Sequence, residues 1–208
     1  MNDEAGARSD GLMIVSVIFI TAFTYIALTT DPVYTGVGVG DRAPELSGKI
    51  YDGTTWVDFD LGKQFNDSWV EGDNGTYYLV EFMDTNCSIC VNDAEKKIPN
   101  IQADYTGDMP RVNLAEGVTV EILAVSISLW DEDSGRDYGR TVIEQFRADF
   151  GHTFAYMDMQ DNSHQDAWGN FGTPTYFIID PSGIIQYTNL EDGYGVEKAM
   201  ENIIPRGA

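Results

Sequence analysis

Cys87 and Cys90 are the only cysteines in the chain, and they stand at Cys-x-x-Cys spacing. Two thiols so placed at the start of a helix can close into a small disulfide ring and open again. The unpaired N–H groups and positive dipole end of a helix start favour a thiolate at the first sulfur. The thiolate, not the thiol, attacks disulfides. Thiol–disulfide exchange is therefore the first chemistry these residues suggest. The same spacing also describes half of a zinc site, or an inert structural disulfide. A structural zinc wants four ligands. The only histidines are His152 and His164, twelve residues apart, a poor knuckle spacing.

The elements around the pair must position it. Tyr77 to Met83 is a β-rich apolar run, predicted as a central strand that ends at the polar turn Asp84-Thr85-Asn86. Asn86 is the expected N-cap of a helix from Cys87. That helix is expected to run through Ala94, Ile98 and Ile101 to about Tyr105, kinked by Pro99. Glu81 is the odd member of the strand. A carboxylate buried there is costly unless partnered or protonated; otherwise it faces water or lies on an edge.

The remaining pattern alternates strands and helices. Ile50 to Val57 is predicted as a hairpin with an Asp-Gly turn. Gly62 to Gly75 is a polar loop or short helix, with Phe65 and Trp69 as anchors. Val118 to Ile127 is a second interior strand. The acidic loop Asp131 to Asp137 is similar to a calcium loop only faintly, its glycine one position out of register. Thr141 to Phe150 is a helix with Val142, Phe146 and Phe150 on one face. Phe154 to Met157 is a short strand, and Asp161 is expected to cap a helix carrying Ala167, Trp168 and Phe171. Tyr176 to Ile179 and Ile184 to Thr188 form a hairpin, and Val196 to Ile204 a last helix.

The 208 residues suffice for one ordinary domain plus an appendage, and 43% hydrophobic content supports a core. Formal net charge is −22, from 12 basic and 34 acidic residues. A nucleic-acid binder needs a basic footprint, so that class is excluded. The acidity reads as a solvated surface, one suited to high salt.

Residues 11–30 carry no charge. About 20 such residues span a bilayer core of about 30 Å. The run is longer than a signal-peptide core and lacks a small-x-small cleavage site, so an uncleaved anchor is expected. Arg8 precedes it and no Lys or Arg follows until Arg42. The positive-inside bias then leaves the N-terminus in the cytoplasm and the bulk of the chain outside. Asn66-Asp67-Ser68 and Asn74-Gly75-Thr76 match glycosylation acceptors, which fits. The expected layout is a cytoplasmic tail 1–10, a transmembrane anchor 11–30, a Pro/Gly linker 31–40 and a globular domain 41–208.

In this order the elements resemble the thioredoxin fold, an α/β arrangement with a central mixed sheet flanked by helices. More narrowly, the chain looks like the membrane-anchored thiol–disulfide oxidoreductases of the TlpA/ResA type. Gly40-Asp41-Arg42-Ala43-Pro44 is similar to that family's G-x-x-A-P entry, shared with peroxiredoxins. Cys87-Ser88-Ile89-Cys90 falls on the redox pair and Thr173-Pro174-Thr175 on the cis-proline loop. Phe177-Ile178-Ile179-Asp180-Pro181-Ser182-Gly183 is similar to the F-L-I-D-x-x-G hairpin.

The resemblance implies roles. Cys87 is the exposed nucleophile and Cys90 the buried resolving thiol. Glu81 is the buried acid that moves the resolving thiol's proton. Pro174, in cis, lies against the disulfide. Thr173 offers its backbone to an extended substrate, with Asn86, Ser88 and Ile89 beside it. No cofactor is implied. The expected partners are exported proteins with disulfides, apocytochrome c being one candidate, and an electron donor in the membrane.

The chain departs from the family in having Asn86 where Trp is usual and Ile89 where Pro is usual. Asp84, close to Cys87, is expected to oppose thiolate formation. Two other readings share the fold. A copper-chaperone-like carrier would use both cysteines with His152 or His164, although that family has three residues between its cysteines. A peroxiredoxin would need a threonine three residues before the cysteine, and Thr85 is two before.

Overall fold

The computed structural model describes residues 3–29, 33–191 and 193–207. Residues 1–2, 30 and 31–32 of the expected tail, anchor and linker lie outside the described residues. The chain divides into two compact units, Met1–Tyr34 and Thr35–Ala208.

The first unit is the helix α1 (Asp3–Thr29). Its large side chains from Leu12 to Phe23 are apolar and exposed, with no polar face. Among the described residues no helix is long and apolar enough to cross a membrane. Of the uncharged run, the described side chains are those of 11–25, about 22 Å of helix against a hydrocarbon core of about 30 Å.

The second unit is built on one seven-stranded mixed sheet. In chain order its elements are β1 (Ser47–Tyr51), β2 (Trp56–Asp60), β3 (Gly75–Met83), α2 (Ser88–Lys96), α3 (Ile98–Tyr105), β4 (Val118–Ser126), α4 (Arg140–Asp149), β5 (Ala155–Asp158), α5 (Gln165–Trp168), β6 (Thr175–Ile179), β7 (Ile185–Thr188) and α6 (Val196–Ile203). The strand order is β2-β1-β5-β4-β3-β6-β7. β3, β4 and β5 run parallel, and the outer pairs are antiparallel. The parallel centre is covered on both faces, so β3 and β4 read as near-continuous apolar runs.

The two-residue alternation of β3 sorts the core. Leu79 and Met83 pack with Ile98 and Ile101 of α3, Ile143 of α4 and Met200 of α6. Val80 and Phe82 face the other way, against Trp168, Phe177 and Leu61. Glu81 therefore points to the same side as the cysteines, the side of α2.

Several local expectations hold. The hairpin pairs Tyr51 with Trp56, and Asp52 takes the Thr54 and Thr55 N–H groups at 2.7 and 2.9 Å. Phe65 and Trp69 anchor their loop edge-on against Tyr78 and Tyr77. The entry segment runs beside β7, Ala43 N–H on the Gly183 carbonyl and Ile185 N–H on the Asp41 carbonyl, both at 2.9 Å.

Others shift. Pro99 divides the expected long helix into α2 and α3, because it has no N–H to continue the ladder. The α4 face is centred on Ile143 and Phe146 rather than Val142. Asp161 caps no helix: it accepts from Ser163 N–H at 3.1 Å in a turn, and α5 begins after His164. Phe171 lies beyond α5, edge-on to Phe82.

Candidate active site

The turn after β3 is built by Asp84. Its Oδ1 accepts from Asn86 N–H at 2.7 Å, and its carbonyl accepts from Cys87 N–H at 3.0 Å. The chain thus reverses directly into α2. The cap of α2 is Cys87 itself, with extended backbone and its Sγ 3.4 Å from Cys90 N. Asn86, expected as the cap, instead donates its side-chain amide to the Asp137 carbonyl at 3.1 Å. A sulfur in the capping position faces the unpaired N–H groups of the first turn, which suits a thiolate.

The second wall is the loop before β6. The Thr173–Pro174 peptide is cis, and the Thr173 carbonyl oxygen lies 3.5 Å from Cys87 Sγ. Asn189, at the end of β7, holds this loop. It accepts from Tyr176 N–H at 2.7 Å and donates to the Pro174 carbonyl at 3.3 Å. Ile89 stands 59% exposed on the lip, and Ser88 is exposed beside it. Between them runs a groove of about 350 Å³, lined by Ile89, Thr173, Pro174, Tyr176, Lys97 and Tyr194 among others.

Both thiols are free, and their surroundings push them apart. Burial raises the Cys87 thiol, but hydrogen bonds from Cys90, Thr173 and the Cys90 and Ile89 amides more than offset it, so its pKa falls below the ordinary thiol value. The Thr173 hydroxyl is buried beside these sulfurs and is committed to no other hydrogen bond among the described residues. It is therefore available to the sulfur once charge forms. Cys90 has no exposed surface. Burial, then the neighbouring Cys87 thiol, drives its pKa well above the ordinary value.

Asp84, expected to oppose the thiolate, ties its carboxylate into other segments. Its carboxylate is occupied by Asn86 N–H, by Leu129 N–H at 2.7 Å and by the Tyr138 hydroxyl at 2.8 Å.

Glu81 is buried, and burial raises its carboxyl to about 8, the Tyr176 hydroxyl and Lys97 partly offsetting. Its neighbours were not singled out in the sequence. Tyr176 Oη lies 3.1 Å from Glu81 Oε1 and 2.9 Å from Asp93 Oδ2. Asp93 pairs with Lys97. Tyr176 was expected only as the start of a strand, and Asp93 and Lys97 carried no expectation beyond lying on the helix from Cys87. An acid one turn before a lysine, in the helix carrying the thiols, was the available signal.

Neither histidine reaches the sulfurs as a ready ligand. His152 has Nδ1 2.6 Å from the Tyr156 hydroxyl and Nε2 3.0 Å from the Ala94 carbonyl. His164 packs against Phe82 and Phe171. Among the described residues, no three of His, Cys, Asp and Glu gather where they could hold a metal ion.

No protein-family model and no curated protein matches the sequence. Solved structures do match. The thioredoxin domain of a thiol–disulfide oxidoreductase from Bacteroides vulgatus is 17% identical with a TM-score of 0.54, over 81% of this chain and 99% of that one. A thiol:disulfide interchange protein from a Bacteroides species is 19% identical with a TM-score of 0.50, over 83% and 91%. The reduced 2-Cys peroxiredoxin of Plasmodium vivax is 14% identical with a TM-score of 0.52, over 79% and 93%. At such identities the likeness establishes the fold, a thioredoxin-like mixed sheet flanked by helices.

Proposed function

We propose that this chain is a thiol–disulfide oxidoreductase that reduces disulfides of exported proteins. One observation carries the reading: Cys87 Sγ is held between the first amides of α2 and the Thr173 carbonyl of the cis-proline loop, with Cys90 buried directly behind it. The Cys87 thiolate attacks a partner disulfide, and one partner sulfur leaves as a thiolate. Cys90 then attacks the Cys87 sulfur of the mixed disulfide, closing Cys87–Cys90 and releasing the second partner thiol. An extended partner segment lies along the Thr173 backbone, with Asn86, Ser88 and Ile89 at the rim.

The reducing direction is supported by Cys90. Strong oxidants of this type stabilise their reduced form, and a buried thiol that resists ionisation withholds part of that stabilisation. The uncharged run 11–30 supports a single-pass anchor with the N-terminus in the cytoplasm and the thiols outside. Electrons then come from a donor in the membrane.

The test is equilibration of the Cys87–Cys90 couple with glutathione, together with turnover of a peptide disulfide. A potential more negative than roughly −230 mV, with turnover, supports the reading. A markedly more oxidising value reverses the direction, and no turnover sinks the activity.

A further inference from the structure

Glu81, Tyr176, Asp93 and Lys97 form one connected row between β3, β6 and the helix that carries Cys90, and counting hydrogens decides how it is charged. A phenol carries a single proton, so Tyr176 donates to one of its two carboxyl neighbours only. Asp93 Oδ2 lies 2.5 Å from the Lys97 ammonium, so Asp93 holds the negative charge and takes the phenol proton. The 3.1 Å contact between Tyr176 and Glu81 is then a hydrogen bond only if the Glu81 carboxyl is protonated and donates to the phenol oxygen. The row reads Glu81 to Tyr176 to Asp93, each donating to the next, with Lys97 donating back to Asp93. Its inner end is buried. At its outer end the Lys97 side chain is 27% exposed, and Tyr176, Asp93 and Lys97 all line the groove beside Pro174.

We propose that Tyr176 and Asp93 are positioning residues that carry a proton from Glu81 outward to the groove, resetting the buried carboxylate in each exchange. The inference rests on the disulfide-exchange reading. In the mixed disulfide, Glu81 first releases its proton outward along this row, and the ionised carboxylate then accepts the Cys90 proton. The Cys90 thiolate attacks the Cys87 sulfur, the Cys87–partner bond breaks, and the partner leaves as a thiolate that takes a proton from water. The protein has then lost two electrons to the partner's two sulfurs. Glu81 passes its proton to the Tyr176 oxygen as Tyr176 passes its own to Asp93, which yields it to water at the groove. The groups facing Glu81 are Tyr176 from β6, Asp93 and Lys97 from α2 and its end, and Tyr156 from β5, whose hydroxyl is raised by burial and then by Glu81 and Cys90.

The experiment uses the reduced full-length chain and substoichiometric dithiobis-nitrobenzoic acid. The first coloured thiolate reports attack by Cys87 and the second reports resolution by Cys90. The expected result at pH 7 is a ratio of second to first rate constant at least fivefold lower in both Tyr176→Phe and Asp93→Asn. The pH of half-maximal resolution should fall in Asp93→Asn, which loses a nearby negative charge. Electrostatics alone predicts that Asp93→Asn resolves faster at pH 7, because more Glu81 is ionised; that result, or an unchanged ratio, overturns the relay. A drop by the same factor at every pH marks a structural role and overturns it too. If one variant misfolds, the other decides. A wild-type chain with no second release sinks the exchange reading, and the relay with it.

Discussion

Cys87 Sγ and the carbonyl oxygen of Thr173 lie 3.5 Å apart although 86 residues separate them in sequence. The contact joins the helix start that lowers the thiol pKa to the loop that would hold a substrate backbone. It exists because β3 and β6 are antiparallel neighbours, with Phe82 opposite Thr175. The end of one strand therefore meets the beginning of the other.

The division of labour between the thiols predicts opposite outcomes for two serine variants. Cys87→Ser should lose at least 100-fold in turnover of a peptide disulfide. Cys90→Ser should still attack the partner disulfide through Cys87 but accumulate a mixed disulfide, seen as one added partner mass per chain. Equal loss in both, with no adduct, would contradict the assignment.

Glu81 should make the fold sensitive to pH in a stated direction. Its carboxyl is raised to about 8 in the folded chain against an ordinary 4.5. Between those values the folded state keeps a proton that the unfolded state has released, so stability falls as pH rises through the window. Glu81→Gln cannot ionise and escapes this fall. It should gain on the order of 4 kcal/mol over wild type between pH 5 and pH 9, by the conversion of about 1.4 kcal/mol per pKa unit. Denaturant titrations at the two pH values measure it; parallel curves would contradict the buried, protonated state.

Asp84 ties three separate segments together through Asn86 N–H, Leu129 N–H and the Tyr138 hydroxyl. Asp84→Ala strands those donors, at about 1–3 kcal/mol for each one left unsatisfied in the interior. The expected destabilisation is about 3 kcal/mol by chemical denaturation. Amide exchange should rise at Leu129 before it rises in β3, and uniform exchange would show that the tie is not local.

Trp168 is fully buried against Phe82 and Phe177, and its Nε1 donates to the Glu45 carbonyl at 3.0 Å. Trp168→Ala should cost about 3–5 kcal/mol. Trp168→Phe keeps a ring and should cost less, including about 1 kcal/mol for the lost hydrogen bond. Thermal unfolding of the two variants ranks them, and equal losses would mean that the ring itself contributes little.

What the sequence alone determined is whatever repeats locally along the chain. The apolar runs at Tyr77–Met83 and Val118–Ile127 marked the central strands, the thiols at Cys87 and Cys90 marked a helix start, and Glu81 stood out as a carboxylate among apolar neighbours. Periodicity, proline and cysteine spacing encode these directly, because strand and helix geometry is a property of neighbouring residues. The helix cap is Cys87 rather than Asn86, because α2 begins one residue later than expected, and the Asn86 amide reaches the distant Asp137 carbonyl. Asp84 stood out only for its nearness to Cys87, and its partners Leu129 and Tyr138 lie 45 and 54 residues away. Tyr176, Asp93 and Lys97 became partners of Glu81 only through the packing of α2 over β3 and β6. A buried polar group must find its partner somewhere, but nothing local says where. The sheet order decides that, and it is a property of the whole chain.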